Sequence, residues 1–198
     1  MKGRKLAMIS VSDRTGLAHF VKGLSGAEFD IVSTRGTAKF LRDKGVRVID
    51  VEKFTGVPPL VGLRGIKMIH TKVFTGVLAD KSNPEHLADL KSIGIRPFDM
   101  VVCNFYPFHK SVKSKKLSHV EKIDFIDIGG PALVRCGAKN YRNVTVVTSP
   151  KDYGMVWKEI KECGNTTYKT RKDLALKAFE YTRWHDSLII EYLKHAKD

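Results

Sequence analysis

Three short apolar runs alternate with helix-period segments over the first fifty residues, and this alternation constrains the fold more than any other feature. Leu6-Ala7-Met8-Ile9-Ser10-Val11 is short, apolar and ended by polar residues, as a buried strand should be. Ser12-Asp13-Arg14-Thr15-Gly16 then reads as a helix start with Ser12 or Asp13 as cap, and Leu17, Phe20, Val21 and Leu24 recur at helical spacing. Phe29 to Ser33 is a second strand. Thr34-Arg35-Gly36-Thr37 is a second polar turn, leading into a helix that carries Ala38, Phe40 and Leu41. Gly45 ends that helix, and Val46-Arg47-Val48-Ile49 is a third strand. Strands joined through helices by short loops predict an α/β fold with a parallel sheet covered by helices.

Further along, residues 52 to 82 read as irregular, with several glycines and a Pro58-Pro59 pair, and a loop of that length inside a compact domain is usually functional. The pattern then predicts a helix from His86 to Ser92, a buried strand from Met100 to Asn104 and a helix from Ala132 to Lys139. A strand from Val144 to Val147, a helix from Asp152 to Cys163 and a long helical tail from Arg171 to Lys194 follow. The 198 residues suit a single domain, 1–198, with a core over about residues 5–150 and a helical tail over about 151–198. Hydrophobic residues make up 42%, enough for a core, and no uncharged apolar run is long enough to span a membrane. The N-terminal apolar run is too short for a signal peptide. The three cysteines, Cys103, Cys136 and Cys163, are far apart, which suggests reduced thiols and a cytoplasmic setting rather than a disulfide frame or zinc site.

The formal net charge of +14 implies an anionic partner or a solvated basic surface. Lys110, Lys113, Lys115, Lys116 and Lys122 cluster in one polar stretch. They have no interleaved aromatics and no reading motif, so a nucleic-acid partner is not indicated.

In an open parallel sheet, ligands sit at the carboxyl ends of the strands. Those ends here carry Ser10 to Thr15 and Ser33 to Thr37. Both combine hydroxyls, a glycine-containing turn and a following helix N-terminus, the equipment for binding a phosphate, although helix caps use the same residues. There is no Walker lysine motif and no G-x-G-x-x-G, so neither a nucleoside triphosphate nor a dinucleotide is expected. Arg64 and Lys67 lie in the long loop, either solvated or reaching back to the anion. Tyr106 follows a strand end and is either a packed aromatic or a site residue. Asp127 precedes Ile128-Gly129-Gly130-Pro131 and Lys139 closes the helix that follows. They read as a cap and a C-terminal cation, or as an acid and a base for moving protons. No metal-ligand spacing and no Ser/His/Asp or Cys/His order stands out among the seven histidines and three cysteines.

The runs Ser-Val-Ser-Asp-Arg-Thr-Gly-Leu (10–17), Ser-Thr-Arg-Gly-Thr-Ala (33–38), Asn-Phe-Tyr-Pro-Phe (104–108), Ile-Asp-Ile-Gly-Gly-Pro (126–131) and Ala-Lys-Asn (138–140) occur in that order. Together they resemble the IMP cyclohydrolase domain of the bifunctional purine-biosynthesis proteins that also carry AICAR transformylase, here as a standalone domain. The resemblance implies a methylglyoxal-synthase-like α/β fold. It also implies closure of the purine ring of formyl-AICAR to IMP and water, with no cofactor and no metal. Lys67, Tyr106, Asp127 and Lys139 would be catalytic. Ser10, Ser12, Arg14, Ser33, Thr34, Gly36, Thr37, Arg64, Cys103, Asn104, Ile128 and Gly129 would bind the nucleotide monophosphate. A homodimer is expected by analogy. Two departures stand out: Arg35-Gly36 replaces a usual pair of glycines, and one extra residue precedes Lys67, which puts Met68 at a hydroxyl position. A phosphate-binding regulatory domain of the same fold and a basic nucleic-acid-binding module are the competing functions.

Overall fold

The computed structural model describes residues 3–58 and 68–196. In chain order the elements begin with β1 (Lys5–Val11), α1 (Leu17–Gly26), β2 (Phe29–Ser33), α2 (Arg35–Asp43), β3 (Ile49–Asp50) and α3 (Val51–Thr55). There follow α4 (Thr71–Leu78), α5 (Pro84–Ser92), β4 (Met100–Asn104), α6 (Phe108–Lys113), α7 (His119–Ile123) and α8 (Gly129–Lys139). β5 (Thr145–Val147), α9 (Tyr153–Cys163) and α10 (Tyr168–His195) complete the chain, with a 3₁₀ turn at Pro150–Asp152 before α9.

The five strands form one parallel sheet in the order β3-β2-β1-β4-β5. The chain leaves β1 in one direction towards β2 and returns on its other side at β4, so the order reverses between β1 and β4. A crevice opens at the carboxyl ends of such a pair. Ser10 pairs with Cys103 and Val11 with Asn104, so both strands end at the same level.

Alternating strand residues feed two cores. Ala7, Ile9, Ile31, Met100 and Val102 face α1 and α9, where Leu17, Phe20, Leu24, Val156 and Ile160 are buried. Leu6, Met8, Val101, Cys103 and Val146 face the other way, towards Val73 and Val77 of α4, Leu133 and Val134 of α8, and Ala175 and Ala178 of α10. This three-layer arrangement is what the continuous apolar character of the strands requires, since a strand covered on both faces cannot alternate.

Several local expectations are corrected. β3 is only two residues long and starts at Ile49, with Val46 packed in the core ahead of it. The stretch expected to be irregular contains α3 and α4. Phe54 packs on Phe98 with ring centroids 5.4 Å apart, and Val73 and Val77, one helical turn apart, bury together. α1 has no side-chain cap: Gly16 starts it in the left-handed region at φ 66°, and Asp13 instead accepts from Thr15 N at 2.9 Å. α8 begins at Gly129, because Pro131 in its first turn loses no hydrogen bond there. α10 is not a tail. It lies against α8 and β5 and completes the second core.

Candidate active site

A cleft of about 230 Å³ opens at the crevice between β1 and β4. It is lined by Ser10, Val11, Ser12, Arg14, Thr34, Gly36, Thr37, Met68, Cys103, Asn104, Tyr106 and Asp127.

One wall is the start of α2. The first N–H groups of a helix have no intrahelical partner, so those of Arg35, Gly36 and Thr37 face outward, and Ala38 N is the first to bond back, to Thr34 O at 2.7 Å. Arg14 lies across this end. Its guanidinium donates to Gly36 O at 3.1 Å and sits 5.2 Å from the Phe40 ring centroid. Ser10 and Thr34 share a hydroxyl contact of 3.0 Å at the strand ends. Free amides, a positive helix end, two hydroxyls and an anchored guanidinium have the chemistry that suits an anionic group.

The floor is built by side chains that hold backbone. Asn104 Oδ1 accepts from Ser12 N and Asp13 N, each at 2.8 Å, and Nδ2 donates to Asp13 O at 3.0 Å. All but one of its hydrogen-bonding positions are thus spent on shaping the loop after β1. The Thr37 hydroxyl bonds both Val11 N and Val11 O, and the Ser33 hydroxyl donates to Ile9 O at 2.7 Å. Ser33 is fully buried outside the cleft, so its expected ligand role is corrected to a structural one. Cys103 does line the cleft, but burial and the Asp127 charge push its thiol well up, so it is a neutral wall.

At the opposite wall stands Asp127. Oδ1 accepts from Gly130 N at 2.7 Å, the helix-cap contact, while Oδ2 accepts from Tyr106 N at 3.2 Å. The cap and the site residue are therefore one arrangement: capping α8 aims the carboxylate at the β4 loop and the cleft. Gly130 makes room for it, since a Cβ there would lie 2.7 Å from Asp127 Oδ2 and 2.8 Å from Phe105 Cδ1. Tyr106 is 53% exposed at the rim, with its ring free to meet a ligand.

Not every expected residue joins the cleft. Lys139 lies ten residues beyond Gly129, roughly 15 Å along the α8 axis at 1.5 Å per residue. It is exposed and borders a separate depression with Phe74, Leu78, Ala132, Arg135, Cys136 and Phe179. Ile128 and Gly129 flank Asp127 without lining the cleft, and Arg35 is exposed outside it. Arg64 and Lys67 fall outside the described residues. Met68, the next residue in sequence after Lys67, is buried in the cleft wall. Asn140 of the Ala-Lys-Asn run is structural, donating to Val77 O and Ala79 O at 2.7 and 3.0 Å.

Sequence reasoning missed two supports on α10. Tyr181 stacks on Phe105 with centroids 4.3 Å apart, and its hydroxyl accepts from Phe105 N at 3.1 Å. His185 packs edge-on against the same ring at 5.1 Å. Their helical spacing was readable, but nothing local links residues 181–185 to a loop some seventy-five residues earlier.

The fold and cleft define an α/β domain with a cleft at the carboxyl ends of its central strands, and the chain belongs to the MGS-like domain family, whose model matches residues 16–132. Residues 137–198 match the model of the AICARFT/IMPCHase bienzyme. Over 193 residues the chain is 42% identical to the bifunctional purine biosynthesis protein PurH of Caldicellulosiruptor bescii, covering 98% of this chain and 37% of that protein. It is 47% identical over 191 residues to PurH of Persephonella marina, covering 96% and 36%. The chain thus spans little more than a third of the length of these curated relatives. The crystal structure of ForH superposes with a TM-score of 0.79 at 30% identity, covering 96% of this chain and 98% of that one.

Proposed function

We propose that this domain is an IMP cyclohydrolase, closing the ring of formyl-AICAR to give IMP and water. The observation that carries it is the opposition of Asp127, held by two backbone N–H groups, to the phosphate-binding start of α2 within one cleft. Similarity to PurH along almost the whole chain supports the same reaction.

Ring closure joins the carboxamide nitrogen to the formyl carbon. The carboxamide and formamide nitrogens each lose one proton, and the formyl oxygen leaves with both as water. The carboxamide is a poor nucleophile, so the site has to hold the two groups in contact, accept a proton and stabilise an oxyanion. The start of α2, Arg14, Ser12 and Thr34 hold the 5′-phosphate. Asp127 accepts from the carboxamide. Two of its roughly four acceptor positions bond backbone N–H groups, which orients it and leaves capacity facing the substrate. Tyr106 and Lys67 polarise the carboxamide oxygen. Lys139 lies at the other end of α8, so donation to the departing water is assigned to Lys67, next in sequence to the cleft residue Met68. No cofactor is assigned. A cytoplasmic homodimer is the setting that the resemblance implies.

The test is ultraviolet absorbance of the purified protein with formyl-AICAR in the presence of a chelator. Formation of IMP is the expected result. Tight binding of IMP without turnover would overturn the assignment in favour of a regulatory nucleotide-binding domain.

A further inference from the structure

Against the Phe105 ring of the β4 loop, α10 places a buried imidazole. His185 is 1% exposed, and its Nε2 has no hydrogen-bond partner among the described residues. Its ring packs edge-on against Phe105 at 5.1 Å and Phe108 at 6.2 Å. An unsatisfied buried polar atom costs about 1–3 kcal/mol, so a core position that needed only bulk would be better filled by an apolar ring.

The surroundings show what the imidazole can act on. Phe105 is held from both sides, by Tyr181 stacked at 4.3 Å and by His185 edge-on. The next residue, Tyr106, gives its N–H to Asp127 Oδ2. Two charges act on the imidazole, those of Asp127 and of Asp186 on its own helix. The neighbours it meets from the β4 loop and α6, Phe105 and Phe108, are uncharged. A polar side chain sealed in the core therefore packs on the ring that precedes Tyr106, whose N–H holds Asp127.

We propose that His185 is a positioning residue for Asp127, holding the carboxylate and the Phe105–Tyr106 segment in register. The proposal deepens the cyclohydrolase assignment and rests on Asp127 being the proton acceptor. Burial pushes the His185 imidazole below its ordinary value of 6.5, while Asp127, Asp186 and the Asp127 backbone pull it upward. Around neutral pH the ring is thus uncharged. Acidification puts a cation beside Asp127, weakening its pull on a substrate proton. The unfolded chain takes up this proton first, so the associated stability is complete above pH 6.5 and is lost as pH falls through the lowered value.

The decisive comparison is His185→Asn against His185→Phe. Asn keeps a short polar group near the Nδ1 position, whereas Phe keeps the ring and the packing but no polar atom. His185→Phe is expected to lower kcat about tenfold or more with KM changed less than about threefold, since small misplacements at a reacting centre are costly. His185→Asn is expected to recover part of that loss. A packing role predicts the reverse order, with Phe benign and Asn damaging, and that result overturns the proposal. A second measurement needs no turnover. In an NMR titration of the His185 ring, Asp127→Asn should shift the midpoint downward, because the charge that holds the proton is gone. An unmoved midpoint overturns the proposal even if the protein is an active cyclohydrolase. A shifted midpoint in a protein that binds IMP without turnover supports the coupling and sinks only the assigned reaction.

Discussion

The two ends of α8 look equivalent in the sequence, an acid at one and a lysine at the other, yet the fold treats them in opposite ways. At the N-terminal end Asp127 caps the helix, bonds the β4 loop and enters a cleft whose far wall is the start of α2. At the C-terminal end Lys139 is exposed beside a shallow apolar depression, where its charge acts on the Cys136 thiol, which burial pushes up to about 12. A straight helix is a spacer. Residues at its two ends can share a site only if a second element folds back between them or another chain supplies one of them.

Four variants would break or sharpen this contrast. Asp127→Asn has the largest expected effect, a fall in kcat of about 10²- to 10⁴-fold with the fold intact by circular dichroism, the range lost with a positioned acid–base group. Wild-type turnover in that variant would remove the cleft end from the chemistry. Arg14→Ala comes next. Losing a charged hydrogen bond to the phosphate, at about 1.5–3 kcal/mol, should raise KM about 10- to 100-fold while kcat changes little. A loss confined to kcat contradicts phosphate anchoring by the α2 end. Gly130→Ala should destabilise the domain by about 1–3 kcal/mol in urea titration, since its methyl would meet Asp127 and Phe105 below contact distance. Unchanged stability together with unchanged activity would mean that the carboxylate is not held as described. Lys139→Met has the smallest expected effect, within about twofold in kcat/KM, as for an exposed residue away from a site. A large kcat loss there would show that Lys139 reaches a cleft after all, through a neighbouring copy.

Much of the fold was legible because β1, β2 and β4 are short apolar runs and the turns before α1 and α2 are polar. β1, β2 and β4 fall where the runs predict, and the turn after β2 that lines the cleft was visible from its hydroxyls and Gly36. α3 and α4 were hidden because glycines and threonines interrupt a periodicity that only Val51, Phe54, Val73 and Val77 carry. Site roles were harder to separate than site membership. Ser33, Asn104 and Asn140 have side chains suited to ligands, but their hydrogen bonds go to backbone, and a sequence does not reveal which partner wins.

By itself the sequence determined the α/β class, the two polar turns at successive strand ends and the acid before the double glycine. Those follow from local chemistry: apolar runs bury, glycines and hydroxyls cluster at turns, and an acid three residues ahead of an amide caps it. Only the tertiary structure decided that Asp127 and not Lys139 enters the cleft with the start of α2, that Asn104 is spent on the β1 loop and that α10 presses His185 against Phe105. Each of those depends on distances between segments up to about a hundred residues apart. Such distances are set by sheet order and helix packing, which no short stretch of chain encodes.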